Sequence, residues 1–155
     1  METLVPAAIC HHGRIRVATE RAVEFIDLTK QIEALAAEAG IRAGLVNIQS
    51  LHTTTAIVIN QAEPLLLVDF DDLLARVASK DAPYRHNDTN VRTLAPGERP
   101  NGHAHSQALM LGSAASLNFA EGHLQLGRSQ RVFLAELDGP RVRDVSVLIL
   151  GEGLR

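Results

Sequence analysis

Hydrophobic and polar residues alternate near the start of the chain and then change to a helical spacing. The alternation over residues 14–20 predicts a half-buried strand, and residues 23–27 predict a second, short strand. From Thr29 the apolar residues recur at helical intervals, which predicts a helix with Thr29 as its N-cap and Gly40 as its end.

Two further strands and a second helix are predicted in the middle of the chain. Residues 44–50 and 54–59 are rich in Val, Ile and Thr, which favours strands. Pro64 then begins a helix with a single apolar stripe. The following residues, 80–102, contain Pro, Gly and a polar run and predict a long loop, which in a compact domain is usually functional or disordered.

The last third of the chain is dominated by predicted strands. A short helix over residues 103–111 ends at Gly112. The strand-like segments after it are residues 115–119, 123–126, 131–137 and 142–150. Because strands and helices do not alternate regularly, the pattern favours an α+β fold with antiparallel pairing.

The composition is that of a single folded domain. A length of 155 residues, with 46% hydrophobic and 21% charged residues, predicts one domain over residues 1–155. Its first residues lack the positive start of a secretory signal, and we expect residues 1–13 to form a flexible N-terminal tail. No apolar run is long enough for a membrane span, so we expect a cytoplasmic protein.

Charge and residue usage limit the partners of the protein. A formal net charge of −3 gives no electrostatic case for nucleic-acid binding, and an aromatic content of 3% argues against stacking platforms for bases. Cys10 is the single cysteine, which excludes an internal disulfide and a Cys-based zinc site. The charge and the aromatic content therefore argue against nucleic acid as a partner.

Histidines supply the main candidate chemistry. His52 follows a strand, and His86 opens the polar run of the long loop. Taken alone, the first is typical of a strand-end histidine bonded to backbone and the second of a solvated loop residue. His103 and His105 begin the short helix, where residues two apart point about 200° away from each other. They can serve one site only if this segment is extended or if His103 precedes the helix.

The positions of His52, His86 and His105 at element junctions predict that the three side chains converge. Neutral imidazole is the commonest protein ligand of zinc and its neighbours, and three imidazoles leave an open position for water or substrate. The spacing matches no established metal motif. A polar network of mutually satisfied histidines is therefore the alternative interpretation.

Arg141 is the candidate for anion binding. Its segment, Gly139-Pro140-Arg141, is typical of a turn between two strands. In the alternative interpretation Arg141 faces an anion together with Gln130 and Arg128, since arginine binds phosphate through two parallel hydrogen bonds.

Six segments, taken in order, resemble the YjbQ family, also called the secondary thiamine-phosphate synthase family. They are His52-Thr53-Thr54-Thr55-Ala56, Ile59-Asn60-Gln61, Tyr84-Arg85-His86-Asn87, Asn101-Gly102-His103-Ala104-His105, the run from Gly122 to Gln130, and Glu136-Leu137-Asp138-Gly139-Pro140-Arg141. The resemblance extends over about residues 14–151, which is nearly the whole chain.

The resemblance implies an α+β fold with a seven-stranded β-sandwich in two sheets, two or three helices and assembly as a homotrimer. It also implies a site at which His52, His86 and His105 hold a divalent metal, zinc or another transition metal. Its implied polar neighbours are Thr53, Thr54, Asn60, Gln130 and Arg141.

The resemblance further implies a reaction that joins a pyrimidine pyrophosphate to a thiazole phosphate and releases pyrophosphate. On this hypothesis the histidines hold the metal, Arg141 and Gln130 hold phosphate oxygens, and Thr53, Thr54 and His103 orient the ligand. Mg²⁺ with the pyrophosphate is the alternative metal, because Mg²⁺ prefers oxygen ligands. The alternative functions are a metal-dependent hydrolase of a small phosphorylated or acyl substrate and a non-catalytic trimer that binds a metal or an anion.

Two positions depart from the pattern of the family. Gln61 stands where the family often has Glu, which removes a carboxylate. Ser129 stands where the family often has an aromatic residue, which widens the pocket or weakens stacking on a ligand.

Overall fold

The computed structural model describes residues 8–153, which form eight strands, three α-helices and one short 3-10 helix. The strands are β1 (Ala8–Ala18), β2 (Glu24–Asp27), β3 (Ile41–Ser50), β4 (Thr55–Gln61), β5 (Ala114–Ala120), β6 (His123–Leu124), β7 (Gln130–Glu136) and β8 (Val142–Gly153). The α-helices are α1 (Thr29–Ala39), α2 (Pro64–Val77) and α3 (Gly102–Leu111), and the 3-10 helix is Arg85–Asn87.

The strands form two antiparallel sheets. One sheet has five strands in the order β1-β8-β3-β5-β6, and the other has three strands in the order β2-β7-β4. The α+β fold with two sheets and three helices is therefore confirmed. The described residues contain one strand more than the implied seven, and β6 is only two residues long.

The first sheet begins earlier in the chain than the sequence predicts. Strand β1 starts at Ala8 and pairs with β8 along its whole length, from Ala8 opposite Glu152 to Ala18 opposite Val142. The expectation of a flexible tail is therefore wrong for residues 8–13, whose backbone is held by the ladder. The expected tail also includes residues 1–7, which lie outside the described residues.

Helix α1 ends as predicted but begins differently. Gly40 closes it in the left-handed conformation, with φ of 68°. Thr29, predicted as the N-cap, is instead the first helical residue, and the N-cap is Leu28. The hydroxyl of Thr29 accepts a hydrogen bond of 2.9 Å from the backbone N–H of Val132, so it joins the helix to β7.

The main core lies between the two sheets and includes one face of α1. Its fully covered side chains include Ile32 of α1, Ile48 of β3, Leu134 of β7 and Ile149 of β8. A smaller cluster lies on the other face of the three-stranded sheet, where α2 and α3 pack. The layers are thus the large sheet, the small sheet with α1, and the helix pair α2–α3.

The two helices of the outer layer are tied together by one buried amide. The Gln107 side chain in α3 donates to the backbone oxygens of Leu74 and Ala78, over 3.2 and 3.1 Å, at the end of α2. This contact places the start of α3 and the loop after α2 on the same side of the small sheet. Within residues 8–153 no helix combines the length and apolar character needed to cross a membrane.

Candidate functional site

Four of the six segments singled out in the sequence meet at one end of the small sheet, which we call the histidine end. It consists of residues 50–55, 84–87, 98–105 and 136–144. The backbone N–H of Leu137 donates to the oxygen of Thr54, which joins the first segment to the last. The Asn87 side chain accepts from the backbone N–H of Gly102 over 2.9 Å, which joins the second to the third.

Gly102 allows the second and third segments to approach closely. A Cβ atom at this position would lie 2.6 Å from Cβ and 2.7 Å from Cγ of Tyr84, closer than real contacts permit. Any larger residue would push Tyr84, and with it His86, away from the first turn of α3. The glycine therefore sets the distance between the histidines of the two segments.

A buried ion pair between Arg143 and Glu136 holds segments of the histidine end together. Arg143 donates to both carboxylate oxygens of Glu136 over 2.6 Å, and the two side chains are 5% and 0% exposed. The same guanidinium donates to the hydroxyl of Thr54, and the hydroxyl of Thr19 donates to Glu136. Burial alone would raise the pKa of Glu136, but the bonds from Arg143 hold it below its usual value.

A second carboxylate, Asp138, fixes the turn after β7. It accepts from Asn101 over 2.9 Å and from Arg141 over 2.8 Å, and Arg99 lies 3.4 Å away. Burial would raise its pKa, yet these partners lower it, so the group is ionised. Arg141, expected to face an anion, therefore has its Nε and Nη2 committed to this carboxylate.

The ring of His52 is bonded to backbone. Its Nε2 accepts a hydrogen bond of 2.8 Å from the backbone N–H of Asp144. Because Nε2 is an acceptor, the neutral ring carries its proton on Nδ1. Burial and then the charge of Arg143 lower the pKa of His52, which keeps the ring neutral. This hydrogen bond to backbone is the arrangement expected for a single histidine at the end of a strand.

His86 and His105 lie against each other. Their ring centroids are 4.8 Å apart and the rings meet edge to face. The Nε2 of His86 is buried, has no hydrogen-bond partner among residues 8–153 and lies 3.6 Å from a Glu98 carboxylate oxygen. Burial, followed by the neighbouring His86, lowers the pKa of His105. The pair thus offers a neutral imidazole beside one that lacks a partner.

His103 turns away from this pair, as two residues of one helical turn require. Its ring lies 6.5 Å from that of Tyr84, and the residue lines a separate cleft. The Nδ1 of His103 is buried without a hydrogen-bond partner in the described part of the chain. Burial and then the charge of Lys80 lower its pKa. His103 and His105 therefore face different surroundings.

Thr53 and Thr54, both expected at the ligand, also have different surroundings. Thr54 is buried, and its hydroxyl accepts from Arg143, so it belongs to the supporting network. Thr53 is exposed, and its backbone lies beside His105. Of these two threonines, only Thr53 has an exposed side chain.

The described arrangement does not fit a metal held by three histidines. A ligating nitrogen has to be unprotonated and free, whereas His52 uses Nε2 for the Asp144 backbone and carries its proton on Nδ1. Glu98, the nearest carboxylate to His86, accepts two bonds of 2.7 Å from Arg92. Within residues 8–153 no group of three or more metal-ligating side chains is placed around one point.

Asn60 and Gln130, both expected near the ligand, lie far from the histidine end within the subunit. Asn60 pairs with Arg131 and Gln61 with Gln130 at the opposite end of the small sheet, whereas Thr55 pairs with Glu136 at the histidine end. Five to six residues of strand separate these positions, which is about 16–20 Å. We call this region, residues 59–61 and 124–131, the far end.

Several residues that build the site were not predicted from the sequence as such. Glu136, Asp138 and Asn101 are buried polar residues that hold the histidine segments in place. Charged residues at the end of the apolar run 132–137 are the feature that could have indicated a buried network. The sequence itself does not show that Arg143 is their partner, because seven residues and a turn separate it from Glu136.

The sequence matches a known family model over most of its length. The model describes UPF0047 proteins that are YjbQ-like, and it covers residues 13–152. A UPF0047 protein of Methanothermobacter thermautotrophicus is 37% identical over 134 residues, which is 86% of this chain and 87% of that protein. The UPF0047 protein YugU of Bacillus subtilis is 30% identical over 138 residues, with 88% and 97% of the two chains covered.

Solved structures share the fold as well. A YbjQ-like protein of unknown function from Sulfolobus solfataricus P2 superposes with a TM-score of 0.85 at 34% identity, over 94% of this chain and 100% of that one. The hypothetical protein APE1520 from Aeropyrum pernix K1 gives a TM-score of 0.82 at 33% identity, over 92% and 99%. The chain belongs to the YjbQ-like UPF0047 family.

Proposed function

We propose that the histidine end binds a small phosphorylated ligand and catalyses a proton-assisted transfer reaction on it. The observation that carries this proposal is the contact between His86 and His105, with a buried nitrogen of His86 left without a partner among the described residues. Buried polar atoms are normally hydrogen-bonded, so an unpaired nitrogen beside a neutral imidazole favours a site that is completed by a ligand.

Thiamine-phosphate synthesis is the reaction we propose first. A bond forms between the pyrimidine methylene carbon and the thiazole nitrogen, the bond from that carbon to oxygen breaks, and pyrophosphate leaves. The departing negative charge needs donors. The exposed hydroxyl of Thr53, the Nη1 of Arg141, which the Asp138 carboxylate does not use, and a protonated Nε2 of His86 are available for this role. The ring N–H of His105 already bonds the Thr53 backbone, so the other ring nitrogen of His105 serves as a proton acceptor.

The test is thiamine phosphate formation from the two precursors, followed by chromatography. His105→Gln and His86→Gln should each lower turnover by about 10²-fold or more, which is the usual contribution of a positioned acid or base. The matched control is His123→Gln, an exposed histidine of β6. Full activity in His105→Gln, or equal losses in the control, would reject the mechanism.

Hydrolysis of a phosphorylated substrate is the second candidate, because a neutral imidazole such as His105 can also take a proton from water. It differs from transfer in needing one substrate only. If the pyrimidine pyrophosphate alone releases phosphate or pyrophosphate as fast as the mixture does, the activity is hydrolysis. If no turnover occurs with either substrate while pyrophosphate still binds, the protein is a non-catalytic anion binder.

A bound zinc or other transition-metal ion remains a prediction. It would require His52 to turn from the Asp144 backbone toward His86 and His105. Elemental analysis of protein purified without a His-tag tests it, together with melting temperatures in added zinc or nickel. Metal far below one ion per chain, with no rise in melting temperature, would reject it.

Assembly as a homotrimer is likewise a proposal. The outer face of the central strands of the large sheet carries Leu45 and Leu150, which are 50% and 44% exposed and lie opposite each other. Such a face suits a second copy of the chain. Sedimentation at micromolar concentration tests this, and a monomer there would reject the trimer.

A further inference from the structure

A cleft of about 500 Å³ lies beside the histidine end, on the side of α3 that carries His103. Its walls come from α2, α3, the loop between β1 and β2, and the turn after β7. The pair of His86 and His105 does not line it. The cleft is therefore a separate space, and the proposed transfer reaction makes no use of it.

Two cations lie at one side of the cleft, beside His103. Lys80 is exposed and makes neither a hydrogen bond nor an ion pair with residues 8–153, and its charge lies close enough to lower the pKa of His103. Arg99 is 45% exposed and uses Nη2 for the backbone oxygen of Asp138. Its other nitrogens make no bond with the described residues. These donors suit an anion of phosphate type.

The carboxylate at the bottom of the cleft does not oppose an anion. Asp138 is neutralised by Arg141 at 2.8 Å, bonded by Asn101 at 2.9 Å and approached by Arg99 at 3.4 Å. The amide oxygen of Gln107 and Nδ1 of His103, two residues that also line the cleft, are buried without a partner among residues 8–153. Unpaired polar atoms of this kind are uncommon and are typical of places where a ligand completes the bonding.

The other side of the cleft is acidic and apolar. Asp71 of α2 lies there, next to Val23 and Ala75. Partial burial, followed by the charge of Asp72, raises the pKa of Asp71, whereas the charge of Arg21 lowers it, and a cationic group of a ligand would further stabilise the ionised form. Asp71 and Val23 also line an adjoining cleft, so this side has room for an extended ligand.

We propose that this cleft binds a small phosphorylated molecule that carries an amino group at its other end. Lys80, Arg99 and His103 hold the phosphate, and Asp71 accepts from the amino group. The apolar side chains of Val23 and Ala75 cover the body of the ligand. The proposal goes beyond the proposed function, because it requires neither a transfer reaction nor His105.

Three matched probes test the proposal by calorimetric titration of the full-length protein. They are 5-aminopentyl phosphate, pentyl phosphate, which lacks the amino group, and 5-aminopentanol, which lacks the phosphate. We expect 5-aminopentyl phosphate to bind at least tenfold more tightly than either of the others. Lys80→Gln should weaken the binding of both phosphates at least fivefold, whereas Asp71→Asn should remove only the preference for the amino group.

The control is Lys30→Gln, which removes a lysine near the far end and should leave all three affinities unchanged. Lys80 and Asp71 are exposed, so both variants are expected to fold, which circular dichroism verifies. His105→Gln should not change the binding of any probe, which separates this proposal from the proposed function. Absence of binding at millimolar probe, equal losses in Lys80→Gln and Lys30→Gln, or an unchanged preference in Asp71→Asn would each overturn the proposal.

Discussion

The two ends of the small sheet use charged residues in opposite ways. At the histidine end, Glu136 and Arg143 are almost fully buried, and Arg143 donates two hydrogen bonds of 2.6 Å to the Glu136 carboxylate. At the far end, Arg131 and Asp27 are 43% and 41% exposed and lie 3.9 Å apart. Both pairs connect one strand of the fold to another segment, yet only the first is shielded from water.

The difference in burial between the two ion pairs indicates which end of the sheet has the more strictly defined geometry. A buried ion pair carries a large desolvation cost and persists only when its geometry and remaining bonds are nearly complete. Thr19, Thr54 and the backbone N–H groups of Leu137 and Asp138 complete the bonds around Glu136 and Arg143. An exposed pair meets no such requirement and contributes little. The histidine segments are therefore attached to the more strongly determined end.

The largest predicted effect follows from breaking the buried pair. Arg143→Met leaves the Glu136 carboxylate buried without its cation, which should lower the free energy of unfolding by about 3–5 kcal/mol. Urea unfolding measures this change. The matched control at the far end is Arg131→Met, for which we expect about 1 kcal/mol or less. Similar losses in the two variants would contradict the contrast between the ends.

The second prediction compares two glycines. Gly102→Ala places a methyl group against Cβ and Cγ of Tyr84 and should cost about 1–3 kcal/mol of unfolding free energy, because Tyr84 has to shift to make room. Gly127→Ala meets only the flexible end of Gln130, at 3.2 Å, and should cost less than about 1 kcal/mol.

The same pair of variants also reports on the site. Displacing Tyr84 moves His86 away from His105, so Gly102→Ala should change the histidine ring signals in NMR spectra, and Gly127→Ala should leave them unchanged. Unaltered ring signals in a folded Gly102→Ala would show that the glycine does not set the distance between the histidines.

Most elements of the fold could be predicted from the sequence because their periodicity is local. The stripe of α2 and the glycine that ends α1 follow from spacing and backbone conformation alone. The start of β1 could not be predicted, because residues 8–13 become ordered by pairing with β8, more than a hundred residues later. Thr29 does not act as the N-cap of α1, because its hydroxyl accepts a hydrogen bond from β7.

The site was predictable only in part, for a related reason. His86 and His105, both at element junctions, have their ring centroids 4.8 Å apart. The sequence does not reveal how an imidazole ring is oriented at the histidine end. His52 lies at the same end of the sheet, but its Nε2 accepts a hydrogen bond from the backbone N–H of Asp144. Placing Asn60 and Gln130 at the far end requires the strand register, which motif order does not contain.

The third prediction concerns pH. His52, His103 and His105 all have a pKa lowered by burial from the usual 6.5. As the pH falls through about 6.5, the unfolded chain binds protons on these histidines before the folded chain does, so stability decreases toward acid. Above about pH 7 both states are neutral and the contribution is complete.

Melting temperatures at several pH values between 5 and 8 test this prediction. The combined His103→Gln, His105→Gln variant should show a smaller decrease toward acid than the unmodified protein. The control His123→Gln should keep the full decrease. The carboxylate of Asp138 does not contribute in this range, since its pKa is lowered from 3.8. A decrease of the same size in the double variant would mean that these two histidines are not the groups involved.

The smallest predicted effect comes from the far end. Gln130 is exposed, and its side-chain oxygen accepts one bond of 2.7 Å from the backbone N–H of Gly127. Its replacement by Ala should therefore cost about 1 kcal/mol of unfolding free energy or less. Turnover should stay unchanged under conditions where His105→Gln loses its activity, because about 20 Å of strand separates Gln130 from the histidine end. If Gln130→Ala instead abolished turnover while remaining folded, the far end would have to act on the histidine end of another copy, since its own is out of reach.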